Sequence, residues 1–86
     1  MCTNIATRTR VTGSALMPAG WTKVDEATIG FDHATHLWVE HALRLDFASS
    51  AGAERVAVEL DLTSARALLV QLQDVIAAAE RSGLES

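Results

Sequence analysis

The apolar residues of this chain of 86 residues change their spacing once, and that change restricts the folds it can adopt. Up to Leu60 they recur at every second position, as in strands that bury one face. From Leu62 to Gly83 they recur every three or four positions, as on one side of a helix. A strand-rich part followed by a helical part indicates an α+β domain.

Turn-forming sequences divide the alternating part into four predicted strands. "MPAGW" (Met17–Trp21) contains the only proline, and "SSAGA" (Ser49–Ala53) is small and flexible. The predicted strands are Asn4–Gly13, Val24–His33, Leu37–Phe47 and Glu54–Leu60. The third is the clearest, because one row consists of Leu37, Val39, His41, Leu43, Leu45 and Phe47.

The last segment predicts one long helix. Its apolar stripe consists of Ala65, Leu68, Leu69, Leu72, Val75, Ile76 and Ala79. Thr63 or Ser64 can cap the start, and Gly83 suits the position after the end. The sequence therefore predicts a single domain over residues 1–86, with a four-stranded antiparallel sheet followed by one long C-terminal helix (ββββα).

Charge and composition argue against several classes of partner. The net charge is −4 and the basic residues are scattered, whereas nucleic-acid binding needs a basic surface. No apolar run approaches the ~20 residues that cross a bilayer. The opening "MCTNIATRTR" has no apolar stretch typical of a signal peptide, and the chain has a single cysteine. We therefore expect a cytoplasmic protein that binds neither nucleic acid nor membranes.

The small size of the chain predicts self-association. A domain of this length buries only about 60–65% of its unfolded surface, and Cys2 alone cannot form an internal disulfide. One helix covers one face of a sheet, which leaves apolar side chains such as Trp21, Trp38, Val70 and Ala77 in surplus. We expect a homodimer.

Every histidine lies in "GFDHATHLWVEH" (Gly30–His41), which makes this segment the candidate site. His33, His36 and His41 are the predicted metal ligands or acid–base groups, because imidazole binds zinc, copper or iron and transfers protons. Asp32 and Glu40 are predicted to orient them or share in catalysis. Cys2 is a candidate nucleophile or thiolate ligand.

The pairing between the second and third predicted strands decides which histidines meet. With Ala34–His36 as the loop, Phe31 faces Val39, Ile29 faces His41, and His33 faces Leu37. This register is favoured because it keeps the apolar residues on one face, and it places His33 and His41 roughly 13 Å apart. A two-residue loop would place His33 opposite His36, close enough to share an ion. A helical turn or a looser loop could gather more of the cluster, and a purely structural role for the histidines is the alternative.

Three stretches resemble a family of small actinobacterial proteins of unknown function: "MCTNIATRTRVTGSA", "FDHATHLWVEHALRLDF" and "RVAVELDLTSARALLVQL". Members open Met-Cys-Thr-x-Ile-Ala-Thr and carry Asp-His-x-x-His followed by Glu-His. The resemblance implies that Cys2, Asp32, His33, His36, Glu40 and His41 belong to the family pattern. It implies no fold or cofactor, and it suggests small-molecule chemistry of secondary metabolism.

Two functions remain open from the sequence. The first is a cytoplasmic dimer whose histidine-rich segment binds a metal ion or a small metabolite, with or without catalysis. The second is a dimeric accessory or interaction module whose histidines are structural. The sequence does not decide whether the protein is an enzyme.

Overall fold

The computed structural model describes residues 5–84, which form four strands and one helix. The strands are β1 (Ile5–Met17), β2 (Gly20–His33), β3 (His41–Ala48) and β4 (Arg55–Leu60), and helix α1 spans Leu62–Ser82. Each strand pairs antiparallel with the next, giving the order β1-β2-β3-β4. The predicted α+β fold, a four-stranded antiparallel sheet followed by one C-terminal helix, is confirmed.

The pairing register sorts the side chains into an apolar and a polar face, because directly paired residues point to the same side. The apolar face consists of the rows Ile5–Phe31–Leu43–Leu60, Thr7–Ile29–Leu45–Val58 and Thr9–Ala27–Phe47–Val56. The polar face contains the rows Ala6–Gly30–Arg44–Glu59 and Arg8–Thr28–Asp46–Ala57. Its charges pair across strands, Arg8 with Glu26 and Arg55 with Asp46.

The first hairpin is longer than predicted. The prediction ended β1 at Gly13, but the strand continues to Met17. The register shifts between Arg10 and Gly13, so Val11 and Thr12 together lie opposite one residue of β2. Such a bulge shifts the alternation by one residue, which concealed the rest of the strand in the sequence pattern. The predicted turn is confirmed, and Gly20 beside it has a φ of 123°, a value that suits glycine.

The outer part of this hairpin forms an arm beyond the other two strands. β3 pairs with β2 only from Glu26 onwards, so residues 13–24 pair with each other alone. On the arm, Leu16 pairs with Trp21, and both side chains are exposed, at 66% and 70%. Because of the bulge, this pair lies on the same side of the sheet as Ile29. Lys23 and Asp25 lie between this pair and Ala27 on that side, so the Leu16–Trp21 pair is a separate apolar patch on the arm.

The predicted register between β2 and β3 is wrong. Ile29 pairs with Leu45, Phe31 with Leu43, and His33 with His41. β3 therefore begins at His41 rather than at Leu37, and the connection is the seven-residue loop 34–40. This register keeps Ala27, Ile29, Phe31, Leu43, Leu45 and Phe47 on one face, as the alternation in the sequence predicts. The predicted register was wrong because it assumed a three-residue loop, which placed Leu37 and Val39 in the strand.

Helix α1 has a different N-cap from the one predicted. Asp61, not Thr63 or Ser64, caps the helix, and its side chain accepts a hydrogen bond from the backbone N–H of Ser64. Such a bond satisfies one of the N–H groups that a helix start leaves unpaired. The predicted end is confirmed, because Gly83 has a left-handed φ of 75° and its N–H donates to the carbonyl of Glu80.

Few side chains of the described residues are enclosed by the chain itself. The buried apolar residues are Val24, Ala27 and Ala42, and no residue of α1 is buried. The apolar stripe of α1, which consists of Leu68, Leu69, Leu72, Val75 and Ile76, stays 46–64% exposed. Among residues 5–84, no helix is both long and apolar enough to cross a membrane.

Candidate functional site

The loop 34–40 is held in place by one carboxylate on β4. Glu59 accepts hydrogen bonds from the N–H of Thr35 at 2.7 Å, of His36 at 2.9 Å and of Leu37 at 3.4 Å, and from the Thr35 hydroxyl at 2.8 Å. The loop also closes on itself, because the N–H of Ala34 donates to the carbonyl of Glu40 at 3.2 Å. A loop this short with this many fixed amides has a defined shape.

These hydrogen bonds also set the charge state of Glu59. The N–H of Thr35, followed by its hydroxyl, contributes most to lowering the pKa of Glu59 from the usual 4.5 to about 2. Arg44 lies 3.5 Å from the same carboxylate and 3.4 Å from the Thr35 hydroxyl. Glu59 is therefore a structural anchor that is ionised at neutral pH, and its oxygens are occupied by the loop.

The loop brings His33 and His41 together at its base. They are paired residues of β2 and β3, and their ring centroids lie 4.6 Å apart with 25° between the planes. The ring of Phe31 also stacks on that of His41, and their centroids lie 5.6 Å apart. Phe31 belongs to the apolar face, so this histidine pair extends that face by one row.

His36 lies elsewhere. It borders a shallow depression with Arg44, Ala57 and Glu59, which are polar-face residues. The three histidines that the sequence placed in one candidate site are therefore divided between the two sides of the sheet. Within residues 5–84, no group of three or more His, Cys, Asp or Glu side chains is arranged to hold a metal ion.

The other predicted site residues have local positions. The carboxylate of Asp32 accepts a hydrogen bond from the backbone N–H of His33 at 2.7 Å, so it fixes the backbone there. The side chain of Glu40 is exposed, and its carbonyl closes the loop. Cys2 lies outside the described residues.

Glu59 was not among the residues that the sequence predicts for the candidate site. The sequence could have indicated such an anchor only indirectly, because a loop of seven residues needs acceptors for its N–H groups. The loop length was itself mispredicted, so the sequence did not identify Glu59 as the acceptor.

A second feature is the groove between the apolar face and the start of α1. It has a volume of about 350 Å³ and is open to solvent. The sheet contributes Ile29, Leu43, Leu45 and Leu60, and the helix contributes Leu62, Ala65, Leu68, Leu69 and Leu72. Arg66 is the charged residue of its lining. An open groove with this lining is suited to another apolar surface.

Comparison with known proteins gives one match. The model of a family described as "Family of unknown function (DUF6295)" matches residues 1–85. No curated protein and no solved structure matches the chain. The match covers nearly the whole sequence and brings no activity with it.

Proposed function

The chain belongs to the DUF6295 family, and because the family description names no activity, we propose from the geometry that it acts as a homodimeric, non-catalytic interaction module. The observation that carries this proposal is the apolar surface that the chain leaves uncovered. It comprises the apolar face of the sheet, the Leu16–Trp21 pair on the arm and the apolar stripe of α1.

The accessible surface of the whole chain supports a stable assembly. The chain has an accessible surface of 6955 Å², whereas a compact monomer of 9.2 kDa has about 4,900 Å². Its radius of gyration is 14.8 Å, against about 12 Å for a compact chain of this length. The excess of about 2,000 Å² is more than the roughly 800 Å² per partner of a standard interface. It lies in the range of obligate homodimers.

The chemistry of this surface favours a second copy as the partner. With a net charge of −4, two copies repel each other wherever their charged surfaces meet. The three rows of the apolar face contain no charged residue, so two copies can join there without opposing like charges. A depletion of charge at the centre is also typical of homodimer interfaces.

A two-fold arrangement uses both parts of the surface. In a two-fold dimer the same patch is used on both copies, so a helix of one copy that packs on the partner's sheet is matched by the reciprocal contact. The apolar stripe of α1 is the element that fits the open groove, because it is a helical ridge with side chains at every third and fourth position. Both α1 stripes and both sheets then form one core.

The histidines support the non-catalytic alternative. His36 is separated from His33 and His41 by the sheet, and Glu59 is engaged with the loop. A general acid or base needs a partner group within reach of one substrate atom, and neither His36 nor Glu59 converges with the His33–His41 pair. The expected cytoplasmic location is part of the proposal and is consistent with a single cysteine.

The test is the mass of the full-length, tag-free protein in solution over a wide concentration range. We expect about twice 9.2 kDa by sedimentation equilibrium. Leu72→Asp places a charge at the centre of the α1 stripe and should raise the dimer dissociation constant roughly 100-fold or more, because a two-fold interface contains the change twice. Gln71→Asp adds the same charge one residue away, off the stripe, and should leave the dimer intact.

A second readout uses the two tryptophans. In Trp38→Phe, which retains Trp21 in the apolar patch of the arm, the fluorescence spectrum should shift with protein concentration as the dimer forms. In Trp21→Phe, which retains the fully exposed Trp38 of the loop, it should not. A wild-type protein that stays monomeric while circular dichroism shows a folded chain would overturn the proposal.

A further inference from the structure

The β2–β3 register creates a pair of imidazoles that the favoured sequence interpretation had separated. His33 and His41 are directly paired across two antiparallel strands, with ring centroids 4.6 Å apart. The loop 34–40 fixes the ends of both strands here, because Ala34 bonds to Glu40 immediately beside the pair. Phe31 packs against the ring of His41. Backbone pairing thus places the two side chains next to each other, and packing on Phe31 adds to the order of His41.

This geometry suits one small cation. Imidazole nitrogen binds zinc, nickel and copper ions at about 2.0–2.1 Å, so two ring nitrogens that share an ion lie about 3 Å apart. The rings are stacked, with centroids 4.6 Å apart and 25° between their planes, so at least one ring must turn about its Cβ–Cγ bond to bring both nitrogens onto one ion. Each imidazole has two nitrogens, so a hydrogen bond at one of them leaves the other for the metal.

We propose that His33 and His41 form a two-imidazole site for a late first-row divalent metal ion. The ion takes one nitrogen from each ring, and water or a small ligand fills its other positions. Open positions distinguish such a site from a closed structural one with four protein ligands. His36 is not part of the site, because it lies by the polar-face depression. The site is formed within one chain and does not depend on the proposed dimer.

The site also has a defined environment. It lies at the end of the apolar face, next to the row that contains Phe31 and Leu43. His41 is partly buried, whereas His33 is exposed, so one ligand is held in the structure and the other faces solvent. An ion at this position is accessible to exchange. Protons compete with the metal for the same nitrogens, so binding should weaken in acid.

The experiment is a calorimetric titration of the full-length, tag-free protein with Zn²⁺ and, separately, Ni²⁺. Two ligands in one chain act as a chelate, so either His33→Ala or His41→Ala should weaken binding roughly 100-fold. His36→Ala is the matched control and should bind as tightly as the wild type. NMR of the imidazole groups should show the signals of His33 and His41 shifting on addition of Zn²⁺, with that of His36 unchanged.

His41→Phe separates ligation from folding. It keeps an aromatic ring beside Phe31 and removes the nitrogen ligands, so the protein should stay folded and lose the site. Three results would overturn the proposal: no binding by the wild type, a loss in His36→Ala equal to that in His33→Ala, or full binding by folded His41→Phe. None of these results bears on the dimer, whose test is the mass in solution.

Discussion

Glu59 accepts two hydrogen bonds from Thr35, one from its N–H at 2.7 Å and one from its hydroxyl at 2.8 Å, across 24 positions of the chain. One side chain of β4 thereby fixes the loop between β2 and β3. The two ends of this loop are joined by the Ala34–Glu40 hydrogen bond, next to His33 and His41. Trp38, within the loop, is fully exposed. This carboxylate is the acceptor for three of the backbone N–H groups of the loop.

We expect Glu59→Gln to loosen the loop while the sheet stays intact. The amide is nearly the same size, but it replaces an ionised acceptor, and hydrogen bonds to charged groups are the stronger class. Amide hydrogen exchange at Thr35, His36 and Leu37 should become about tenfold faster or more. Exchange at Leu45, in the middle of the sheet, should change little.

Glu54→Gln is the matched control for this substitution. It removes the same charge from an exposed residue of the β3–β4 connection. Exchange in loop 34–40 should then match that of the wild type. If Glu54→Gln accelerates the loop amides as much as Glu59→Gln does, net charge rather than the hydrogen bonds governs the loop.

The lowered pKa of Glu59 predicts the direction of the acid response. A carboxyl whose folded pKa is about 2, below the usual 4.5, stabilises the folded state above pH 4.5, and that stabilisation is lost as the pH falls towards 2. The pKa values of Asp25 and Asp61 are lowered by hydrogen bonds from Ser50 and Ser64, so they act in the same direction. The free energy of unfolding should therefore fall through this range.

Urea unfolding at fixed protein concentration and ionic strength, repeated at a series of acid pH values, measures this fall. Fixed concentration matters because self-association also contributes to apparent stability. The difference between the wild type and Glu59→Gln should shrink as the pH falls from 4.5 towards 2, because the carboxyl becomes protonated in the unfolded state first and then in the folded state. A difference that stays constant down to that pH would contradict the assigned role of Glu59.

The fold was predictable where a pattern repeats over several residues. The alternation from Leu43 to Phe47 and the helical spacing from Ala65 to Ile76 each express burial on one side, and both were read correctly. The part of β1 from Ile5 to Arg10 was found in the same way. The continuation of β1 to Met17 was missed, because a bulge interrupts the alternation and no residue type in the sequence indicates a bulge there.

The candidate site was predictable only as a segment. Its histidines were recognised by type, but which of them meet depends on the loop length, and Leu37 and Val39 extend the apolar alternation into the loop. The observed register lies four residues from the predicted one, because His33 pairs with His41 rather than with Leu37, so the error in loop length regroups the cluster. The anchor Glu59 is remote in sequence and depends on that same register.

The N-cap of α1 provides the last prediction, because the sequence favoured Thr63 or Ser64 and the structure has Asp61. Asp61→Ala removes the acceptor for the Ser64 N–H, which donates at 2.7 Å. We expect Tm to fall by about 4–8 °C, the range for a lost cap in a domain of this size, with weaker helical circular dichroism. Asp61→Asn should retain most of the stability, because asparagine caps about as well as aspartate. Thr63→Ala should leave Tm nearly unchanged. If it lowers Tm as much as Asp61→Ala does, Thr63 is the N-cap and the assignment to Asp61 is wrong.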